Sequence, residues 1–411
     1  MSAADPLAAA KTAVRPCQVC AGTRVEVLHH QPFALPEGHL LPAAFDVVCC
    51  LACGFCYADT PAPQETYDRY YADFSKYADN RTSTGGGGSA EDARRLREFA
   101  AQLAAGLDGD RGASVLDIGC SNGGLLAALQ ALGFTRLTGV DPSPACVENT
   151  HRQPGLRALP GTLTALPPDL GRYDLVVLSH VLEHVADLRS VLSPLAGLLT
   201  AGGRLYVEVP DAARYTAFVT SPFQDFNVEH INHFDLASLE RLFAAHGFVL
   251  ETGGTKDLPA AQGLWYPAVY GFFRPAGAAA GSPPPPTVPL PPLRDELRAY
   301  IARSRELMAD IERRVAPLGG PGTEPIIVWG TGQLALKLLV ETSLRHASIA
   351  AFVDGNPVNQ GKTLRGVPVL APASLRGLPP YPVLIATQLH QQAILAMLHG
   401  ELGLTNPAIT L

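Results

Sequence analysis

The chain has 411 residues, 47% of them hydrophobic, which is enough material for two or three domains with apolar cores. Its formal net charge of -7 argues against a nucleic-acid-binding protein, because such proteins need a basic surface to neutralise phosphates. No apolar run is long enough to cross a bilayer, and no basic segment followed by a hydrophobic one begins the chain. We therefore expect a soluble cytoplasmic protein without a nucleic-acid or membrane partner.

Eight cysteines are too few for a disulfide scaffold in a chain of this size, but most of them cluster near the N-terminus. Two Cys-x-x-Cys pairs lie about thirty residues apart: Cys17 and Cys20, then Cys50 and Cys53. Such pairs can place four thiolates tetrahedrally around one Zn²⁺. Gly54 favours the second pair over Cys49 and Cys56, since the turn after a metal-binding pair often needs a positive φ. We expect a structural zinc ion; a set of buried free cysteines is the alternative.

A Tyr-rich stretch from Tyr67 to Tyr77 follows the cysteines, and a glycine run at Gly85–Gly88 follows that. The glycine run is either an active-site lid or a linker. A helical pattern from Glu91 to Leu107 then leads into the next strand.

The segment from Val115 to Gly124 predicts a buried strand followed by a glycine-containing turn. The glycines let backbone N–H groups approach a ligand, and the next strand ends on Asp141, whose carboxylate can accept hydrogen bonds from ribose hydroxyls. Ser121 stands where a dinucleotide fingerprint has its second glycine, the place of closest approach to a pyrophosphate. The pattern therefore favours a nucleoside cofactor that has a ribose and an amino-acid tail but no phosphates.

Strands and helices alternate from Ser114 to about Pro275, which is typical of a parallel α/β sheet. Further strands are predicted at Leu156–Leu159, Tyr173–Leu178 and Arg204–Val209. Further helices are predicted at Leu188–Leu199, Ser238–His246 and Leu293–Val315. Gly202 and Gly203 suit the end of the first of these helices. A proline-rich linker is predicted at 282–286, and a second α/β unit follows the last helix.

The strand that starts near Asp174 leads into a segment with two histidines, His180 and His184. Together with the first glycine turn, Asp141 and the turn at 200–205, this segment resembles the motifs of the class I methyltransferases in order and spacing. The cofactor of that family is S-adenosylmethionine, which would lie at the carboxyl edge of the sheet. The resemblance implies that Asp117, Gly119 and Asp141 hold the cofactor and that Cys120, Gly123 and His180 line its site.

A second cluster of polar residues lies at Asn227–Phe234. His230 and His233 are three residues apart, and Glu229 precedes the first of them. Read from the residues alone, the two histidines are metal ligands, a general-base pair or a hydrogen-bonded helix start. No third ligand motif accompanies them in the sequence.

Over nearly its whole length the chain resembles the sugar C-methyltransferases that act on nucleotide-linked 4-keto deoxysugars. That family has an EHxxYF motif, to which the segment Glu229–Phe234 corresponds. The resemblance implies an α/β protein with a zinc-binding N-terminal domain, a central class I methyltransferase domain and a Rossmann-like C-terminal domain. The expected bounds are 1–75, 76–280 and 292–411.

The same resemblance implies that His230 is the catalytic base and that Glu229 orients or assists it. His233 stands where the family has a tyrosine, and Tyr77 and His184 are further expected members of the active site. Removal of a proton beside a ketone gives an enolate, whose carbon attacks the sulfonium methyl group. The expected partner is thus a small-molecule substrate, a nucleotide-linked sugar, and we expect a monomer or a homodimer.

Two alternatives remain open. One is an O- or N-methyltransferase on a sugar or another natural product. The other is an NAD-dependent oxidoreductase or sensor that uses the C-terminal unit, where the strand and glycine turn at Ile326–Gly332 precede Asp354 by about twenty residues. In the resembling family this unit carries no redox cofactor.

Overall fold

The computed structural model describes residues 10–74, 89–261, 263–276, 293–320, 322–388 and 390–411. Tyr77, the glycine run at 85–88 and the predicted linker at 282–286 lie outside these residues. The chain forms two compact units. The first contains Met1–Leu28, Val47–Phe218 and Glu229–Leu297, and the second contains His29–Asp46, Val219–Val228 and Arg298–Leu411. The division into three domains at the predicted bounds stays a prediction.

The described elements before residue 276 alternate between strands and helices over most of their length. In chain order they are β1 (Ala10–Thr12), β2 (Arg24–Pro32), β3 (Ala44–Cys50), β4 (Cys56–Asp59), α1 (Gln64–Phe74), α2 (Ala90–Gly106), β5 (Ser114–Ile118), α3 (Gly124–Ala131), β6 (Arg136–Asp141), α4 (Pro144–His151), β7 (Ala158–Pro160), β8 (Tyr173–Ser179), α5 (Leu188–Leu192), β9 (Leu199–Pro210), α6 (Tyr215–Phe218), β10 (Asn232–His233), α7 (Leu236–Ala244), β11 (Phe248–Ala261) and β12 (Leu264–Pro275).

A seven-stranded sheet organises the first unit, with the strand order β11-β12-β9-β8-β5-β6-β7. The strands β5 to β9 are parallel to one another, whereas β12 is antiparallel to both β9 and β11. Counted from β5, the parallel strands lie in the doubly wound order 3-2-1-4-5. The order reverses between β5 and β8, so the carboxyl ends of these two strands border the crevice in which such sheets bind ligands.

The central strands are buried because apolar side chains cover both faces of the sheet. Val115 and Leu175 share a hydrophobic cluster with Leu103 of α2 and with residues of α3. Their neighbours Leu116 and Val176 point to the opposite face and belong to the cluster that contains residues of α5 and α7. This alternation follows from the two-residue period of a strand. It explains why the apolar run before the glycine turn is continuous.

A smaller five-stranded sheet has the order β1-β2-β3-β4-β10. The last strand, β10, is antiparallel to β4, and it places His233 opposite Cys56. Both Cys-x-x-Cys segments are turns at this sheet, one between β1 and β2 and the other between β3 and β4. The sheet thereby brings together two cysteine pairs that are distant in the sequence.

Most predicted elements are confirmed to within one or two residues. The helix predicted at Leu188–Leu199 is wrong in extent, because α5 ends at Leu192 and a 3₁₀ segment continues to Leu198. Pro194 explains the early end, since proline lacks an N–H and its ring clashes with the preceding helical turn. Gly202 therefore does not stop a helix; it lies inside β9 with a φ of +86°. Among the described residues, no helix has the length and apolarity needed to cross a membrane.

The second unit is also a doubly wound α/β structure. Its elements after residue 292 are α8 (Leu293–Val315), β13 (Ile326–Trp329), α9 (Gln333–Glu341), β14 (Ile349–Val353), β15 (Thr363–Leu364), β16 (Val367–Leu370), β17 (Val383–Ile385), α10 (Gln391–Ala396) and β18 (Ala408–Thr410). The sheet order is β15-β16-β14-β13-β17-β18, in which only β15 pairs antiparallel among the described strands. Counted from β13, its parallel strands again follow the order 3-2-1-4-5, which confirms the predicted Rossmann-like topology.

Candidate active site

A cavity of about 410 Å³ opens at the carboxyl ends of the central strands in the first unit. Most of the predicted site residues line it: Asp117, Gly119, Cys120, Asp141, His180, His184 and His230. Further lining comes from α1, from α2 and from the β11–β12 pair, including Tyr71, Arg95, Phe99 and Tyr266. The sheet thus brings together side chains that the sequence separates by more than one hundred residues.

The turn after β5 has the backbone that a bound ligand requires. Gly119 has a φ of +83°, and a Cβ there would lie 2.7 Å from the Cγ2 of Val181. Gly123 has a φ of +77° and begins α3, and a Cβ on it would lie 2.8 Å from Thr150. Gly123 itself does not line the cavity among the described residues. Its role is therefore to let α3 pack closely, whereas Gly119 borders the ligand space.

Two carboxylates face the cavity on this side. Asp141 accepts hydrogen bonds from the backbone N–H groups of Ser121 (2.8 Å) and Ser143 (2.9 Å), one on each oxygen. A carboxylate has about four acceptor positions, so Asp141 can accept a further hydrogen bond from a ligand hydroxyl. Burial raises the pKa of Asp141 to about 6 despite these bonds. Burial, together with the nearby charge of Asp141, raises the pKa of Asp117 to about 7. A cationic ligand beside Asp117 would favour its ionised form.

His180 belongs to a network of charged side chains below the cavity. Its Nδ1 donates to Glu183 Oε1 at 3.1 Å, and its Nε2 lies 3.4 Å from Glu208 Oε1. Burial lowers the pKa of His180, but the hydrogen bonds to the two glutamates outweigh it and raise the pKa to about 9. Lys256 pairs with the other oxygen of Glu208. With a φ of +55°, the backbone of His180 is in the left-handed region, a strained conformation typical of ligand sites.

Two histidines face each other on the opposite wall. The rings of His184 and His230 are 5.0 Å apart and meet edge to face. His184 donates from Nδ1 to the carbonyl oxygen of Glu229 at 2.9 Å, and the hydroxyl of Tyr71 lies at the same distance from this nitrogen. Nε2 of His184 lies 3.9 Å from Glu183 Oε1. Glu183 is therefore a carboxylate close to these histidines, and the sequence motifs do not indicate it.

Two predicted catalytic residues, Glu229 and His233, are not among the described residues that line the cavity, and their catalytic roles stay predictions. The carboxylate of Glu229 is buried and accepts a hydrogen bond from the Tyr70 hydroxyl at 3.1 Å. Its backbone carbonyl accepts a hydrogen bond from His184. His233 is fully buried in β10, edge-on to Tyr215, and burial lowers its pKa to about 3. A neutral imidazole fits this position better than an acid or base that exchanges protons with a substrate.

The Tyr-rich stretch contributes Tyr71 to the cavity wall, and the predicted Tyr77 lies outside the described residues. Tyr67 and Tyr71 are both in α1, four residues apart, and this spacing places them on one face of the helix. The four-residue spacing is visible in the sequence, and it could have indicated Tyr71 as a further candidate site residue.

The comparisons with known proteins agree with this geometry. The family model described as "Methyltransferase domain" matches residues 90–252, from the start of α2 into β11. Over this segment the chain is similar to a methyltransferase domain. Its strand order and its glycine turn confirm the predicted class I fold, and all but one of the predicted cofactor residues line the cavity.

Relatives of this chain are identified over part of its length only. A Streptomyces fradiae protein named "Uncharacterized 37.1 kDa protein in transposon TN4556" is 34% identical over 123 residues, which cover 28% of this chain and 35% of that protein. A Methylobacterium sp. (strain 4-46) ubiquinone biosynthesis O-methyltransferase is 33% identical over 100 residues, covering 23% of this chain and 40% of the relative. The chain thus matches less than half the length of these relatives.

Among solved structures, a similar one is the Burkholderia thailandensis 1,6-didemethyltoxoflavin-N1-methyltransferase with bound 1,6-didemethyltoxoflavin and S-adenosylhomocysteine. It is 23% identical and has a TM-score of 0.39. The match covers 54% of this chain and 95% of that one.

The four predicted metal ligands lie outside the methyltransferase domain, and their sulfur atoms converge. The Sγ atoms of Cys17 and Cys53 are 3.6 Å apart, those of Cys20 and Cys50 are 3.5 Å apart, and all four lie within 4.8 Å of one another. A tetrahedral zinc with Zn–S bonds of about 2.3 Å needs S–S separations of about 3.8 Å. Gly54 has the expected positive φ, and Ala21 has one after the first pair. The donor set fits a zinc ion.

In the second unit, the carboxylate of Asp354 is hydrogen-bonded to the glycine turn after β13. Asp354 accepts hydrogen bonds from the backbone N–H groups of Thr331 (3.0 Å) and Asn356 (2.8 Å), from the Thr331 hydroxyl, and from Asn359 Nδ2 (3.2 Å). Three of these bonds go to Oδ2 and one goes to Oδ1, so the carboxylate is held mainly by its own turn.

Proposed function

We propose that the protein is an S-adenosylmethionine-dependent methyltransferase. The observation that carries the proposal is the cavity at the carboxyl edge of the methyltransferase domain, bordered by the Gly119 turn and by Asp117 and Asp141. Asp141 is placed to accept the ribose hydroxyls, and Asp117 offers a buried negative charge for a cationic ligand. The cofactor would supply an electrophilic methyl group on a sulfonium.

The acceptor proposed is carbon, in a nucleotide-linked keto deoxysugar. His230 would take the proton from the carbon beside the ketone, and the electron pair of the broken C–H bond would form an enolate. The enolate carbon would then bond to the methyl carbon while the S–CH₃ bond breaks, leaving neutral S-adenosylhomocysteine. His230 supports this role because it lines the same cavity as the cofactor residues and is within ring contact of His184.

Glu183 would take the supporting role that was expected for Glu229. It is buried, it lies 3.9 Å from His184 Nε2, and it accepts a hydrogen bond from His180. A carboxylate so placed can orient the imidazoles that line the cavity. Glu229 instead positions His184 through its backbone carbonyl.

An O-methyltransferase is the second candidate, because several relatives of this chain are named ubiquinone biosynthesis O-methyltransferases. The same histidine would then take the proton of a hydroxyl group. The two reactions differ in one measurable step: only a C-methyltransferase exchanges the substrate's α-proton with deuterated solvent.

The test is to incubate the protein with methyl-labelled S-adenosylmethionine and a panel of nucleotide-linked keto sugars and phenols, and to locate the label by NMR. We expect label on carbon beside the ketone and no label on oxygen. His230→Ala should abolish transfer and solvent exchange while leaving cofactor binding within about twofold, since it removes the base and not the cofactor contacts. Transfer at the wild-type rate by this variant would refute the base assignment.

We also propose that Cys17, Cys20, Cys50 and Cys53 hold a structural zinc ion. Four thiolates fill a tetrahedral ion, so no position is left for a substrate. The ion would hold together the two turns of the small sheet. The segment after His230 belongs to the same sheet, because β10 pairs with β4.

A further inference from the structure

A second group of metal-binding side chains lies in the wall of the active-site cavity. Glu183, His184 and His230 each place one nitrogen or oxygen atom so that all three atoms lie within 4.8 Å of one another. All three residues line the cavity. No sequence spacing predicts this group, because it joins a pair of adjacent residues to a histidine forty-six positions further on.

The surroundings of His184 leave one nitrogen for a ligand. Its Nδ1 is engaged by the carbonyl of Glu229 and the hydroxyl of Tyr71, each at 2.9 Å. A proton on Nδ1 leaves the lone pair on Nε2, and this is the nitrogen that lies 3.9 Å from Glu183 Oε1. Metal-binding histidines are usually held in this way, with the second ring nitrogen donating to a carbonyl or carboxylate.

Glu183 carries the second independent indication. The residue is only 1% exposed, and its Oε1 accepts a hydrogen bond from His180. Its Oε2 is buried and accepts no hydrogen bond from any residue that the structure describes. An ionised carboxylate oxygen without a donor is costly in a buried site, and a bound cation removes that cost.

We propose that Glu183, His184 and His230 bind a divalent transition-metal ion. Two imidazoles and one carboxylate suit zinc, cobalt, nickel or iron(II), and three protein ligands leave at least one position open toward the cavity. The site differs from the four-cysteine cluster, whose ligand set is closed. A water molecule or a substrate oxygen would take the open position.

Occupancy of this site has a consequence for catalysis that rests on the proposed function. A lone pair of His230 that is bonded to a metal ion cannot accept a proton from the substrate. A bound ion would therefore inhibit methyl transfer, and removing the ion would restore it. Metal binding and proton abstraction would compete for one ring.

The binding test uses the full-length protein loaded with Co²⁺ and freed of excess metal by gel filtration. We expect two equivalents per chain, one with the intense near-ultraviolet absorption of cobalt thiolates and one with only the weaker visible bands of nitrogen and oxygen ligands. Glu183→Gln and His184→Ala should each lose the second equivalent and keep the first. Glu229→Gln is the matched control and should keep both, because it leaves unchanged the backbone carbonyl that accepts a hydrogen bond from His184.

Tyr71→Phe should weaken cobalt binding at the second site without abolishing it, a partial effect on one site that misfolding would not produce. Loss of the hydroxyl beside His184 should weaken the second equivalent by about tenfold and leave the thiolate-bound cobalt unchanged. A single equivalent in the wild type, or two equivalents in Glu183→Gln and His184→Ala, would overturn the proposed site.

The activity test separates this inference from the proposed function. Co²⁺ added up to one equivalent above the thiolate-bound ion should abolish transfer in the wild type, and a chelator should restore it. A protein that transfers methyl groups but binds no second equivalent would refute the metal site and leave the function standing. A second equivalent that stimulates transfer would support the site and refute His230 as the base.

Discussion

The raised pKa of Asp117 predicts that the cofactor binds more tightly as the pH rises through neutrality. The group has a pKa of about 7 because it is buried and lies near Asp141. If the sulfonium ligand binds the ionised carboxylate, binding releases a proton wherever the free protein is protonated. At pH 6 about a tenth of the Asp117 side chains are ionised, and at pH 7.5 about three quarters are.

The affinity for S-adenosylmethionine should therefore increase about eightfold between pH 6 and pH 7.5, equivalent to about 1.2 kcal/mol. This range stays below the pH at which most of the ligand's own α-amino group loses its proton. Isothermal titration calorimetry at the two pH values measures the change. Repeating the pH 6 titration in buffers of different ionisation enthalpy should show release of about one proton per cofactor bound.

Asp117→Asn is the control, because it keeps the shape of the side chain and cannot ionise. Its affinity should be lower at pH 7.5 than that of the wild type. Its pH dependence over this range should largely disappear, because the carboxyl group that titrates near pH 7 is gone. Equal wild-type affinity at both pH values, or an eightfold dependence that persists in Asp117→Asn, would refute the link between burial of this carboxylate and cofactor binding.

Three further predictions test the turn, the carboxylate and the cysteines. Gly119→Ala should cost about 1–3 kcal/mol of unfolding free energy in a denaturant titration, because of its positive φ and the contact with Val181. Glu183→Gln should lower kcat at least about tenfold at unchanged cofactor affinity, whereas Glu229→Gln should change it less; the reverse order would restore the sequence-based assignment. Finally, Cys50→Ala should lose the thiolate-bound zinc in metal analysis and Cys49→Ala should keep it, since only the former belongs to the converging set.

The cofactor half of the site could be predicted because its signals are local. The apolar run of β5, the turn that needs positive φ at Gly119, and the acid at the end of β6 lie within one β-α-β unit. Parallel strands of such a unit align their carboxyl ends, so residues at these ends share one edge of the sheet. The two Cys-x-x-Cys pairs are equally local, and each turn carries its own positive-φ residue.

The substrate half could not be predicted to the same extent, because its contacts join separate parts of the chain. Tyr71 meets His184 across 113 positions, and the carbonyl of Glu229 meets it across 45. No periodicity or spacing encodes such distances. The early end of α5, by contrast, has a local cause. Pro194 disrupts the helix, and this effect depends only on the neighbouring residues.

Glu229 and Glu183 show that residues adjacent in the sequence need not face the same site outside regular secondary structure. Glu229 precedes His230 directly, but the segment is neither helix nor strand, so successive side chains have no fixed common direction. One of them lines the cavity and the other is buried against Tyr70. Glu183 is also adjacent to a histidine, but it lies in a 3₁₀ turn at the carboxyl end of β8, where the sheet itself points the chain at the ligand space. We therefore propose that the residue nearest to the switch point in the fold, rather than the one nearest to the base in the sequence, supplies the charge.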